Sequence, residues 1–148
     1  QAQYARRIGE SGAQAIVRAT IQRTNDRLLA LDALPIGGVS SVRGYRENQL
    51  IRDSARIFNF ELEWPAWRDE ERGMAATLAP FADYGRGRGR HQPATTLASV
   101  GMAGRLTWGR LTASVALAHK LTHPAVTDES HGNLQDRGVH FELAWRID

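Results

Sequence analysis

Side chains in this chain switch between apolar and polar at every second position over stretches of about ten residues. Only an extended backbone turns successive side chains to opposite faces, so the pattern limits the chain to strands. Six stretches show it. Ala13, Ala15, Val17, Ala19 and Ile21 alternate with Gln14, Ile16, Arg18, Thr20 and Gln22, and Phe58, Phe60, Leu62 and Trp64 stand opposite Asn59, Glu61 and Glu63. A third stretch runs from about Ala75 to Gly85. A fourth sets Ala98, Val100, Met102, Gly104, Leu106 and Trp108 against Ser99, Gly101, Ala103, Arg105 and Thr107, so small residues fill its wetter face. Leu111, Ala113, Val115 and Leu117 alternate with Thr112, Ser114 and Ala116; Val139, Phe141, Leu143, Trp145 and Ile147 alternate with His140, Glu142 and Arg146. Gln1 to Ile8 reads as the end of a seventh.

The connections point to a membrane barrel, in which short periplasmic turns and long outer loops take turns. A tight Gly9-Glu10-Ser11-Gly12 turn precedes the long segment Asp32 to Ser54. A medium turn, Pro65 to Gly73, precedes a Gly/Arg-rich loop at Arg86 to Thr95, and a tight Trp108-Gly109-Arg110 turn precedes the polar loop Thr122 to Arg137. A soluble antiparallel sandwich or lipocalin-like barrel also alternates and also uses Gly-rich turns. The last stretch argues against it, with apolar residues at every second place and Trp145 near its end, where an interfacial aromatic girdle would lie. The expected fold is all-β: an antiparallel transmembrane barrel fragment of about six to seven C-terminal strands with a long infolded loop at 32–54.

Several classes drop out. No run approaches the roughly 18 consecutive apolar residues of a membrane-spanning helix. With no cysteine in the chain, disulfides, thiolate metal sites and cysteine nucleophiles are excluded together. The net charge of +3 comes from scattered Arg and Lys, whereas nucleic-acid binding needs a concentrated basic face. The start, Gln1-Ala2-Gln3, has neither an initiator Met nor a signal-peptide pattern, and reads as a cut into a longer protein.

The most specific stretch is Gly37-Gly38-Val39-Ser40-Ser41-Val42-Arg43-Gly44-Tyr45-Arg46-Glu47-Asn48, inside the longest loop. Paired glycines permit positive φ and close backbone approach, and Val42-Arg43-Gly44-Tyr45 sets a guanidinium at a bend between apolar and aromatic neighbours. Such a tip is built to insert. In the third strand Phe81, Asp83 and Gly85 share one face, and Asp83 is expected to point into the lumen. An Arg facing a carboxylate in a confined interior can form a bidentate, charge-assisted pair; Arg43 is therefore expected to pair with Asp83 and hold the loop inside.

These residues resemble the outer-membrane superfamily that contains BamA and the TpsB transporters of two-partner secretion. Val42-Arg43-Gly44-Tyr45 is similar to its loop motif and Phe81-x-Asp83-x-Gly85 to its strand motif. The run Gly37 to Asn48, Arg52-Asp53, Glu61-Leu62-Glu63-Trp64-Pro65 and Leu97-Ala98-Ser99-Val100-Gly101 resemble the TpsB branch, the FhaC and ShlB haemolysin-activator type. The resemblance covers essentially the whole chain. It implies a Gram-negative outer-membrane barrel of about 16 strands, preceded by periplasmic POTRA domains, that exports an unfolded exoprotein of the TpsA kind without nucleotide. It also implies that the residues matched by Arg43 and Asp83 are needed for secretion. Outer-membrane lipid, lipopolysaccharide and the barrel assembly machinery are the other implied partners. Asp148 departs from the aromatic on which such barrels commonly finish. The alternative from the same superfamily is a BamA- or TamA-like insertase; a soluble β-sheet binding module is the third reading.

The remaining motifs carry less. Arg86-Gly87-Arg88-Gly89-Arg90 superficially resembles an RNA-binding segment, but three arginines beside a strand end read more simply as an exposed loop in reach of anionic lipopolysaccharide. His119 and His123 have helical spacing, yet Leu111 to Leu121 alternates as a strand, which argues against a metal site. Glu61 and Glu63 share a strand face as a glycosidase pair would, and read as lumen-facing acids of a water-filled pore. No Gly-x-Ser-x-Gly elbow, phosphate loop or dinucleotide fingerprint occurs, so no enzyme activity, catalytic residue, cofactor or metal is expected.

Overall fold

A computed structural model describes residues 1–90, 92–124, 134–135 and 137–146. Its strands are β1 (Ala2–Ile8), β2 (Ala13–Gln22), β3 (Leu34–Ile36), β4 (Leu50–Arg52), β5 (Ser54–Asp69), β6 (Met74–Gly89), β7 (Gln92–Trp108), β8 (Leu111–Lys120) and β9 (Val139–Trp145). Seven form one antiparallel sheet in the order β1-β2-β5-β6-β7-β8-β9, while β3 and β4 pair separately within segment 32–54. The sheet does not close, and β1 and β9 stand at its two edges. The fold is all-β and antiparallel, a barrel fragment.

Register keeps the two faces chemically distinct, because a period of two carries each side chain to the same face as its cross-strand partner. One face sets Asn59 beside Asp83, Asp83 beside Ser99, Arg105 beside Ser114 and Ala116 beside His140. The other sets Val17 beside Phe60, Phe60 beside Ala82, Met102 beside Leu117 and Val115 beside Phe141. Segment 32–54 covers the first face, and the second is left bare: Phe141 is 69% and Leu143 60% exposed. A sheet that buries its polar face and exposes its oily one suits lipid as its outer solvent.

All four tryptophans of the chain lie on the oily face at the end carrying the short turns. Met74 pairs with Trp108, and Trp108 and Trp145 both pair with Leu111. Trp64 pairs with Leu78 and Trp67 with Ala76. Strict alternation from Trp64 would turn Trp67 inward. A register shift between Pro65 and Trp67 inserts one residue, and this bulge returns Trp67 to the outer row. The result is an aromatic belt at one level, as an interface demands.

The structure corrects two expectations. The turn read at Pro65 to Gly73 is mostly strand, since β5 reaches Asp69 and β6 begins at Met74. The loop read at Arg86 to Thr95 is also mostly strand: β6 runs to Gly89 and β7 starts at Gln92, with Gly89 and Gln92 cross-strand partners. Gly-Arg-Gly-Arg-Gly itself alternates at period two, and the loop composition masked that periodicity. Segment 32–54 is a folded unit with its own ribbon, β3–β4. Most of the loop read at Thr122 to Arg137, together with Ile147 and Asp148, lies outside the described residues.

Candidate functional site

Segment 32–54 packs on the polar, inward face of the sheet and shares an apolar core with it. Ile36, Val42, Tyr45 and Leu50 are almost fully buried and pack with Ala55, Ile57 and Leu97 of the sheet. Each large side chain so buried contributes about 1.5–3 kcal/mol. Ile57 and Leu97 are apolar residues on the face that carries Asn59, Asp83 and Ser99; alternation alone does not explain them, and their packing against segment 32–54 does.

At the tip, Arg43 reaches the strand. Its Nε–H donates to Asp83 Oδ2 at 2.7 Å and its Nη2 to Asp83 Oδ1 at 2.9 Å, while its backbone N–H also donates to Oδ2 at 3.0 Å. A planar fork on a carboxylate fixes direction as well as distance. The remaining arm, Nη1, donates to Glu61 Oε2 at 2.5 Å. Asn59 on β5 donates from Nδ2 to Asp83 Oδ1 at 2.8 Å, and also to the Ser41 carbonyl oxygen. One cation thus serves two carboxylates beneath the tip of the segment.

The other motif residues surround this clasp. Phe81 lies under the guanidinium, whose carbon is 3.6 Å from the ring centroid, a cation–π contact. Gly85 supplies clearance: a Cβ there would come within 2.5 Å of Ile36 Cγ2 and 2.8 Å of Val42 Cγ2. Gly87 does the same for Arg52, whose Cγ would lie 2.7 Å away. Gly44 has φ +93°, and a Cβ on it would meet Ala118 Cβ at 2.9 Å, so both conformation and space call for glycine. Tyr45 Oη lies 2.8 Å from the Ala98 carbonyl oxygen and 2.7 Å from that of Thr122, bridging β7 and the end of β8.

Several participants escaped sequence reasoning. Glu61 was read as a pore-lining acid, yet it is the second carboxylate on Arg43; its place on the Asp83 face was visible, its register was not. The Gly44 backbone N–H donates to His140 Nε2 at 2.9 Å, so His140 on β9 touches the loop from across the sheet. Asn59 and Thr122 also carried no motif signal. Glu63, the other acid of its pair, sits 3.6 Å from Arg105 instead.

Electrostatics favour a charged clasp. Burial alone would push the Arg43 guanidinium down, but hydrogen bonds and the field from Asp83 and Glu61 outweigh it and hold it above its ordinary value. At the loop base the Leu28 backbone N–H, and then that of Arg90, hold the Asp53 carboxyl below its usual range by donating to it. Beside the clasp lies a concavity of about 740 Å³ lined by Arg18, Glu61, Arg105, Ser114, Ala116 and Glu142, and Arg43, Glu47 and His140 also border it.

A family model described as haemolysin secretion/activation protein ShlB/FhaC/HecB matches residues 3–107, well over half of the chain. That span includes most of β1 through most of β7, segment 32–54 and both motifs. Among curated proteins none matches.

Proposed function

This chain belongs to the ShlB/FhaC/HecB family of haemolysin secretion/activation proteins, outer-membrane transporters of two-partner secretion. On that premise we propose that its sheet is the C-terminal part of a pore wall through which an unfolded exoprotein crosses the outer membrane, with segment 32–54 as an infolded loop anchored by Arg43. The family is a transporter class and not an enzyme class. Lipid solvates the oily face, the barrel assembly machinery inserts the whole, and folding of the exoprotein outside the cell makes transit one-way.

The observation that supports this reading is the polarity of the sheet: its inward face carries the Arg43 clasp and a concavity bordered by charged side chains, and its outward face is bare and apolar. A gated conduit needs a wall and a plug that occupies its bore; the two-faced sheet supports the first, and segment 32–54, packed on the polar face, supports the second. Strand edges left unpaired in lipid are costly, which argues for further strands completing the barrel beyond β1 and β9.

The test is genetic. Removing the gene from a Gram-negative host that also encodes the exoprotein should strand that exoprotein in the periplasm, while the abundance of other outer-membrane barrels stays unchanged. Normal secretion with depleted barrels would instead identify an insertase.

A further inference from the structure

Where β6 leaves the oily band, its side chains alternate between glycine and arginine. Gly85 and Gly87 face the plug, so Arg86 and Arg88 face outward and are exposed. Arg56 on β5 is also exposed and stands directly opposite Arg86 in register. The three border a shallow depression of about 440 Å³ that Arg23 also lines. Like charges placed directly opposite destabilise a strand pair. Among the described residues none of the Arg56, Arg86 and Arg88 side chains has a hydrogen bond or ion pair to offset this. Of the acids nearby, Asp53 is committed to the backbone N–H groups of Leu28 and Arg90, and Asp26 borders a neighbouring depression with Arg88 without forming an ion pair with it.

Position identifies what neutralises them. Ten residues of β6 separate Ala76, the partner of Trp67 in the aromatic belt, from Arg86. At about 3.3 Å per residue and a strand tilt of about 40°, that is about 25 Å, the height of the apolar band of such barrels. From β2 through β9 the outward positions between these two levels hold no Asp, Glu, Lys or Arg; Arg6 lies on the edge strand β1. With the short turns on the periplasmic side, the arginines stand at the headgroup level of the outer leaflet, which in a Gram-negative cell is lipopolysaccharide.

We propose that Arg56, Arg86 and Arg88, with Arg23, form a binding site for the phosphate groups of lipid A on the outside of the barrel. The proposal rests on the outer-membrane reading above. Guanidinium forks match phosphate oxygens bidentately, and a bound phosphate between Arg56 and Arg86 converts a repulsive cross-strand pair into a bridged one. The inward glycines and outward arginines are then one design: the same alternation seats the plug on one face and a lipid on the other.

Full-length protein purified from outer membranes should retain lipopolysaccharide through detergent washing, as measured by native mass spectrometry. The Arg56→Gln, Arg86→Gln, Arg88→Gln triple variant should retain about tenfold less. Added lipid A should rebind to delipidated wild type, whereas lipid A stripped of both phosphates, or phosphatidylglycerol at equal concentration, should not compete with it. Equal retention by the triple variant overturns the proposal, and so does equal competition by either control lipid. If the triple variant does not reach the membrane, Arg86→Gln alone and the phosphate-free lipid on wild type decide the matter. Absence of the wild-type protein from the outer membrane would instead refute the barrel reading; correct localisation with unchanged lipid retention refutes this site only.

Discussion

The guanidinium of Arg43 and the carboxylate of Asp83, forty positions apart in the chain, meet through two side-chain hydrogen bonds of 2.7 and 2.9 Å and one backbone bond of 3.0 Å. Glu61 takes the remaining arm of the guanidinium. The contacts are therefore unequal. Removing Asp83 leaves Arg43 one carboxylate and also strips Asn59 of an acceptor, whereas removing Glu61 leaves the bidentate fork intact.

Asp83→Ala should accordingly loosen the plug more than Glu61→Gln. Breaking a buried, paired charge costs about 3–5 kcal/mol, enough to turn a docked segment into a largely undocked one. Protease cleavage within 32–54 in the intact full-length protein should rise strongly for Asp83→Ala and only slightly for Glu61→Gln. Equal cleavage of the two variants would show that the fork has no privileged role.

Glycine clearance gives a second expectation. Gly85→Ala forces a methyl group against Ile36 and Val42, at a cost of about 1–3 kcal/mol, and should displace the plug without unfolding the sheet. Gly104→Ala, whose added carbon meets its nearest neighbours at 3.8 Å, should be tolerated. Thermal unfolding and protease sensitivity of 32–54 compare the two.

The bulge can be tested by shortening it. Deleting Ala66 should remove the extra residue and leave Trp67 in the aromatic belt, since Pro65 and Trp67 already pair with the neighbours Thr77 and Ala76, whereas deleting Pro65 together with Ala66 should turn Trp67 toward the lumen. The expected outcome is a smaller heat-modifiable fraction in the outer membrane for the double deletion, with deletion of Ala66 alone causing less loss. Equal losses would indicate that the bulge does not set the register.

Asp53 predicts a pH dependence at the loop base. Its folded pKa lies below its ordinary value of 3.8 because the Leu28 and Arg90 amides donate to the charged form. The tether is therefore fully present above the usual carboxylate range and is lost as pH falls through the lowered value. The melting temperature of wild type minus that of Asp53→Asn should be positive near neutrality and shrink toward zero in strong acid. A difference that does not change with pH would contradict the assignment.

Strand identity was legible because lipid on one side and water on the other leave a period-two trace in each strand, as in Phe58 to Trp64. The motifs could be located for a related reason: Arg43 and Asp83 are unusual charges at a loop bend and on a wet strand face. What stayed hidden depends on register. Glu61 and His140 approach the loop only once β5 and β9 are aligned against β6 and β8, and no local pattern encodes that alignment. Trp67 was obscured by a one-residue bulge that breaks parity, and β6 beyond Gly85 by a glycine and arginine composition typical of loops.

The most direct test is secretion by charge-inverted full-length protein. Exchanging the two partners with Arg43→Asp and Asp83→Arg sets a carboxylate at position 43 against Glu61, so the exchange alone should restore little export relative to either single change. Adding Glu61→Gln removes that repulsion and should recover a substantial part of exoprotein secretion. Normal secretion by Arg43→Ala and Asp83→Ala singly would contradict a loop held in the pore by this clasp, and full recovery without the Glu61 change would remove Glu61 from it.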